Sequence, residues 1–406
     1  MAGKTFKEQS QVLWINTCIN FIRGHGKISR TTLCNELGIS ITSVNSIINW
    51  LKERHLIREC SAEDSTGGRK PSLISLVPDG AFFAGLEFSA DGISCVVLDL
   101  TRTVVYKRFR QFTDAESSSD LIAAIERELN AVIAFLGEQE KRLVGIAVGA
   151  PGYLDYESGM LLFYSQREEW NNTPLMTRLR EQFNYPIFLL NNVDVMPYAY
   201  KWVSCNGSCE DHVMLVVRYG FKMSAFASNR QIKGAHNFMG EIGHMHVNGS
   251  NRLCRCGKHG CFDTEVTYPA LKQKIEDGIS VGHFKYMAKL MEEAGGFTID
   301  LFTQACNSGD RDSLMLMEET VRNICSAISW ICYMIDPAVI MISSKLDQFN
   351  GFYDMMSDTL YRIYENNFTY GKLNIQPAPF GEYLGAVGAA AYVYDKAYGR
   401  IIEPEA

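Results

Sequence analysis

The chain has 406 residues, of which 47% are hydrophobic and 21% charged, with a net charge of −7. That length predicts two or three domains, and that balance is the one of a folded, water-soluble protein rather than a disordered or fibrous one. No run of about 18 uncharged apolar residues and no signal-peptide core is evident, so a cytoplasmic protein without a membrane span is expected. The 12 cysteines are then read as buried thiols plus metal ligands, because a disulfide framework needs an oxidising compartment.

Charge is uneven along the chain. Residues 1–80 carry +3 and the remainder −10, the pattern of a small basic module on an acidic body. In that module Val12, Ile15, Ile19 and Ile22 recur at helical spacing, and Gly24-His25-Gly26 ends the helix. Ser29 caps a second helix through Leu37, closed by Gly38. Ser40 caps a third, with Val44, Ile47, Ile48 and Leu51 as its buried stripe. Leu56–Cys60 and Leu73–Val77 read as strands around a Ser-Thr-Gly-Gly-Arg-Lys-Pro loop, which makes a winged helix-turn-helix. Its third helix enters the major groove with its first turns, so Ser40, Ile41, Thr42, Ser43, Asn45 and Ser46 are candidate DNA contacts. Asn45 suits an adenine edge, and Arg69 and Lys70 at the wing tip suit phosphate or a narrow minor groove. A helical interaction domain with a solvated Arg-Lys pair is the alternative.

From Ala81 the pattern turns α/β. Strands are predicted over residues 82–88, 93–100, 103–109, 143–148, 187–190 and 213–217, with helices over 121–136 and 314–335. Two halves that each begin with hairpin strands predict two lobes around a cleft. The second half also holds Cys254-Arg-Cys256-Gly-Lys-His-Gly-Cys261, preceded by Gly-Glu-Ile-Gly-His244. Cys254, Cys256, Cys261 and His244 make a closed tetrahedral donor set, which fits one structural zinc ion. Glycines 257 and 260 allow the tight bends. His246 and His259 are rival ligands, and three neighbouring thiols without a metal are the alternative.

Gly-Ala-Pro-Gly (149–152), Gly-Glu-Ile-Gly-His (240–244), the cysteine segment, Gly-Ala-Val-Gly-Ala-Ala-Ala (385–391) and the winged helix with Gly-Gly-Arg-Lys-Pro together resemble the ROK family of repressors, open reading frames and sugar kinases. The branch resembled is that of the N-acetylglucosamine and xylose repressors. The resemblance implies an actin-like (ribonuclease H-like) two-lobed α/β body behind the winged helix, with a structural zinc. It also implies a homodimer or homotetramer. The expected domains are residues 1–80 (winged helix), 81–190 with 381–406 (small lobe), and 191–380 (large lobe with the zinc site).

Against the family's kinases, three nucleotide elements differ. Asp-x-Gly-Gly-Thr is replaced by Glu87-Phe88-Ser89-Ala90-Asp91, Gly-Thr-Gly by Arg218-Tyr219-Gly220-Phe221-Lys222, and Gly-Gly by Ser343-Ser344. Asn192 stands at the catalytic aspartate's position, and an amide is no general base near neutral pH. Asp194 is the one residue that a register slip would bring into that role. Phosphoryl transfer rests on positioning and charge stabilisation, so no kinase activity is expected. The resemblance places a sugar or sugar phosphate against Gln166, Asn191, Asn192, Glu241, His244 and Asp263. Glu241 and Asp263 have the alternative, compatible role of orienting the zinc ligands. The expectation is a DNA-binding regulator of carbohydrate metabolism, with operator DNA and a sugar effector as partners. A sugar kinase carrying a DNA-binding domain and a repressor switched by a protein partner are the competing readings.

Overall fold

Ser29 and Ser40 each accept a backbone N–H three residues on, at 3.0 and 3.1 Å, and so start two short helices. In this computed structural model, which describes residues 6–61, 72–113, 117–205, 210–235, 238–247, 249–363 and 373–401, the N-terminal segment comprises α1 (Phe6–His25), β1 (Ile28–Ser29), α2 (Arg30–Leu37), α3 (Ile41–Glu53), β2 (Ile57–Ser61) and β3 (Ser72–Leu76). The three strands pair antiparallel in the order β1-β3-β2, behind a core of Ile15, Ile19, Leu33, Val44, Ile48 and Leu51. Gly38 closes α2 in the left-handed region at φ 63°. His55 adopts the same region at φ 57° just after α3, where a glycine would be unstrained. The wing tip with Arg69 and Lys70 lies outside the described residues.

The body repeats one topology. Its first sheet contains β4 (Phe82–Phe88), β5 (Gly92–Asp99), β6 (Val104–Gln111), β7 (Leu143–Ala150) and later β10 (Ile187–Asn191). Between them come α4 (Ser118–Leu136), the small hairpin β8 (Tyr153–Asp155) and β9 (Met160–Phe163), and α5 (Leu175–Gln182). The order is β10-β7-β4-β5-β6: two antiparallel hairpin pairings on one side and two parallel pairings on the other. α6 (Asn192–Ala199) follows β10 and runs on into a π turn, Tyr200–Ser204.

The second sheet has β11 (His212–Val217), β12 (Phe221–Ala227), β13 (Arg230–Gln231), β14 (Val339–Ser343) and β15 (Asn374–Pro377), in the order β13-β12-β11-β14-β15 with the same hairpin-then-parallel pattern. Its helices are α7 (Asp263–Val266), α8 (Tyr268–Ser280), α9 (Lys285–Ala294), α10 (Ile299–Asn307), α11 (Arg311–Ile335) and α12 (Phe352–Ile363). Phe262, Phe302, Met317, Ile328 and Phe352 are the centre of this core. The last helix, α13 (Leu384–Ile401), returns to the first sheet.

Two compact units result, residues 1–208 with 382–406 and residues 209–381. The boundary expected at 190 therefore moves to 208. Residues 192–204 pack as α6 and the π turn against α13, β7 and β10, so they belong to the first unit. α13 approaches so closely because it carries glycines. A Cβ on Gly388 would lie 2.1 Å from the Val195 carbonyl, and one on Gly85 of β4 would lie 2.0 Å from that of Ala386. The Gly-Ala-Val-Gly-Ala-Ala-Ala segment is a packing surface.

Candidate functional site: a DNA face, two altered turns and a cysteine-histidine cluster

On α3, Ser40, Ile41, Thr42, Ser43 and Ser46 are exposed, and Asn45 is half-buried. Arg30 donates to the Asn45 Oδ1 and also to Glu59 at 2.8 Å, which Lys52 joins at 3.3 Å. Arg30 thus engages the acceptor half of the amide expected to read a base. Asn49 is also exposed, one turn beyond Asn45 on the same helix. Sequence reasoning passed over both Arg30 and Asn49. The four-residue step from Asn45 to Asn49 is the signal for the second.

In the first unit the turn between β4 and β5 is closed by its own chain. Ser89 N donates to Gly92 O at 2.9 Å, and Ala90 N donates to the Tyr164 hydroxyl at 3.1 Å. Burial raises the Tyr164 hydroxyl, so it stays neutral and available to accept that bond. Arg167 donates to Ala90 O at 3.0 Å and lies over the Trp170 ring. Trp170 itself is fully buried among Phe88, Phe112 and Tyr164. The Ser89 and Ala90 N–H groups of this turn are both hydrogen-bonded.

Asn191 caps α6 through Val193 N at 3.0 Å and donates to Gly152 O at 3.1 Å. Asn192 donates to Glu87 Oε1 at 3.1 Å, and Glu87 is only 5% exposed. Gln166 is half-buried and makes no hydrogen bond among the described residues. Asp194 lies in the first turn of α6, where its charge helps burial raise Tyr156 to about 12.

The second unit's turn, between β11 and β12, is filled in a different way. Arg218 Nη2 donates to Ser343 Oγ at 2.6 Å, which joins the two segments expected to differ from the kinases' nucleotide elements. Tyr268 Oη accepts Lys345 N at 2.6 Å and approaches Ser344 Oγ at 3.4 Å. Phe221 N donates to Asp263 Oδ1 at 2.9 Å, and Lys222 Nζ donates to Glu241 Oε1 at 2.6 Å. Burial raises the Asp263 carboxyl above its ordinary value, against that bond from Phe221. A Cβ on Gly243 would meet Asp263 Oδ1 at 2.0 Å, and one on Gly240, at φ 88°, would meet Met223 O at 1.9 Å. The glycines of Gly-Glu-Ile-Gly-His are therefore required by close approach.

Beside this turn, the donor atoms of His244, Cys254, Cys256 and Cys261 all lie within 4.8 Å of one another. Cys256 and Cys261 sulfurs are 3.7 Å apart, and Cys254 Sγ is 3.8 Å from His244 Nδ1. A tetrahedron built on zinc–sulfur bonds of about 2.3 Å has edges of roughly 3.8 Å, so the cluster has the right size for that ion. Burial pushes the Cys261 thiol up to about 12, and a bound cation would supply the charge that keeps it ionised. Gly257 and Gly260 take φ of 85° and 73° at the bends. His246 Nδ1 is instead 3.3 Å from the His259 carbonyl, and neither rival belongs to the cluster.

A model of the ROK family matches residues 83–396. This chain belongs to the ROK family. Outside the matched span lie the winged helix and the C-terminal end of the chain. The xylose repressor of Caldicellulosiruptor bescii is 23% identical over 79% of this chain and 80% of its own length. A crystal structure of a ROK family transcriptional regulator, a homologue of the E. coli MLC protein, superposes with a TM-score of 0.77 at 20% identity, covering 97% of this chain and 98% of that one. A ROK family glucokinase from Streptomyces griseus, solved with glucose and AMPPNP, superposes at 0.64 and 18% identity over 78% of this chain and all of that one (100%). At these identities the two structures show the fold alone: the winged helix with an actin-like ROK body. No helix among the described residues is long and apolar enough to cross a membrane.

Proposed function

We propose that this ROK protein is a sequence-specific transcriptional regulator of carbohydrate metabolism, a repressor, that binds operator DNA through α3 and the wing and responds to a sugar or sugar phosphate. The observation that carries this reading is a union of two features in one unit. A winged helix with an exposed, polar α3 face is packed on a ROK lobe whose β4–β5 turn gives the Ala90 N–H to the Tyr164 hydroxyl. The relatedness to a xylose repressor supports the sugar class.

Gln166, Asn192 and Glu241 are the hydroxyl partners that the family pattern offers. Asn191 and Asp263, offered to the sugar by the family pattern, hold backbone N–H groups here, so their share is smaller. His244 gives Nδ1 to the metal and keeps Nε2 for a hydroxyl. One zinc ion per chain, held by His244, Cys254, Cys256 and Cys261, braces this region without an open coordination position. A homodimer or homotetramer would present paired winged helices to two half-sites at fixed spacing.

Catalysis is not part of this reading. Asn192 is bonded to Glu87, and Arg218 occupies Ser343, so base and nucleotide cradle are both replaced. Selection of bound fragments from genomic DNA, followed by gel shift, tests the DNA assignment: Ser43→Ala with Asn49→Ala should weaken the selected fragment at least tenfold. In parallel, incubation with ATP and a hexose and pentose panel should give no sugar phosphate. Turnover abolished by Asp194→Ala would overturn the proposal in favour of a kinase.

A further inference from the structure

We infer that Arg102 is a positioning residue that couples the sugar-site amide Asn192 to the DNA-binding module, through α6, which starts at Asn192, and α13, which Asn192 reaches through Glu87. The inference rests on the proposed sensing role of Asn192. Its parts all lie in the first unit.

The first helix is α6. It begins at Asn192, contains Pro197, and passes into the π turn that carries Trp202. Ten residues of helix span about 15 Å. A proline inside the helix followed by a π turn is a weakened hydrogen-bond ladder, a place where such a helix can shift register or bend. The second path leaves Asn192 through its bond to the buried Glu87 at 3.1 Å. Glu87 in turn lies against Gly385 at the start of α13, where a Cβ would be 2.4 Å from the Glu87 Cγ. α13 then carries Tyr394, nine residues beyond Gly385.

Arg102 closes both paths. It is 4% exposed, and its guanidinium lies 4.4 Å from the ring centroids of both Trp202 and Tyr394. One nitrogen donates to the Trp202 carbonyl. The other donates to the Tyr394 hydroxyl at 3.1 Å and to Asn20 Oδ1, on α1, at 2.8 Å. Arg23, one turn further along α1, donates to the same Tyr394 hydroxyl at 2.7 Å. The DNA-binding module is therefore held to the lobe by polar bonds that meet at Trp202 beyond α6 and at Tyr394 on α13.

The backbone is arranged for this placement. Arg102 has φ 68°, the left-handed region, which is strained for a residue with a side chain. Asp99 holds the turn there by accepting Thr101 N at 2.8 Å, Thr101 Oγ1 at 2.7 Å and Thr103 N at 2.9 Å. A buried guanidinium is a poor choice for stability alone, since an apolar side chain of similar volume often serves as well. A cation that grips two rings, a carbonyl and an amide is suited to an interface that must hold one geometry and release it.

The test is a mutational cycle in the full-length protein. Operator affinity, read by fluorescence anisotropy on a fragment selected from genomic DNA, is measured for wild type, Asn192→Ala, Arg102→Met and the double variant. Coupling predicts that Asn192→Ala shifts affinity at least threefold in wild type and less than 1.5-fold when Arg102 is methionine. Independent, multiplicative effects would overturn it. If Arg102→Met fails to fold, Asn20→Leu cuts the same connection from the α1 side and must give the same result. The second arm adds D-xylose, N-acetylglucosamine and N-acetylglucosamine 6-phosphate. A sugar that weakens operator binding by wild type should still bind Arg102→Met within twofold by calorimetry yet lose its effect on DNA; a full response in that variant would sink the inference. If none of these sugars acts on wild type, the sensing role falls for this panel, while the cycle still decides whether Arg102 couples the two ends.

Discussion

The two sheets share one topology, yet the turn at the head of each has been altered by different means. In the first unit a neutral phenol, Tyr164, accepts the Ala90 N–H. In the second a carboxylate, Asp263, accepts the Phe221 N–H while Lys222 and Glu241 pair beside it. The first turn is thus closed by an aromatic cluster around Trp170, and the second by a charged network next to the cysteine-histidine cluster. A turn amide is thus engaged once beside hydrophobic packing and once beside a charged network. The second unit should therefore depend on charge and metal, and the first on shape.

That contrast can be broken in several ways. The largest effect is expected from metal removal. Treatment with a strong chelator, or Cys254→Ser, should abolish one bound zinc by elemental analysis and lower the second unit's thermal transition by ten degrees or more, on the order of several kcal/mol. DNA binding by the first unit's winged helix should survive as non-specific affinity at low salt. Equal loss in both units would erase the distinction.

Next comes shape in the first unit. Gly388→Ala drives a methyl group into the Val195 carbonyl, with backbone on both sides, and should cost about 3 kcal/mol in urea unfolding. A cost below about 1 kcal/mol would mean that α13 is not packed as described. The turns themselves give the finest comparison. Asp263→Ala leaves the Phe221 N–H without its charged acceptor and should cost about 2 kcal/mol, whereas Tyr164→Phe removes a neutral acceptor and should cost about 1 kcal/mol. The reverse order would contradict the assignment of electrostatics to one turn and packing to the other. Smallest is Ser29→Ala, which removes the α2 cap for about 1 kcal/mol.

Much of this was readable from residue order. Caps at Ser29 and Ser40, the closing Gly38 and the strands expected at 82–88 and 143–148 follow from local rules. The cysteine segment is local as well: four donors and three positive-φ glycines fall within 18 residues. What local rules could not give is the use of each polar side chain after folding. Asn191 and Asp263 have the types that bind a sugar, but capping α6 and holding Phe221 N are decided by neighbours 2 and 42 residues away. α8, α9, α10 and α12 gave no expected element although their apolar residues do recur at helical spacing, as Met287, Leu290 and Met291 do in α9. Arg102 was invisible for the plainest reason: its partners Asn20, Trp202 and Tyr394 lie 82, 100 and 292 residues away.

The most direct measurement is a titration of full-length protein against its selected operator fragment at fixed salt, repeated across a panel of free and phosphorylated sugars. The account predicts sequence-specific binding that one sugar class weakens at least tenfold, with no sugar phosphorylated when ATP is present. Operator affinity that no sugar changes, or ATP-dependent turnover of the sugar that binds, would contradict it.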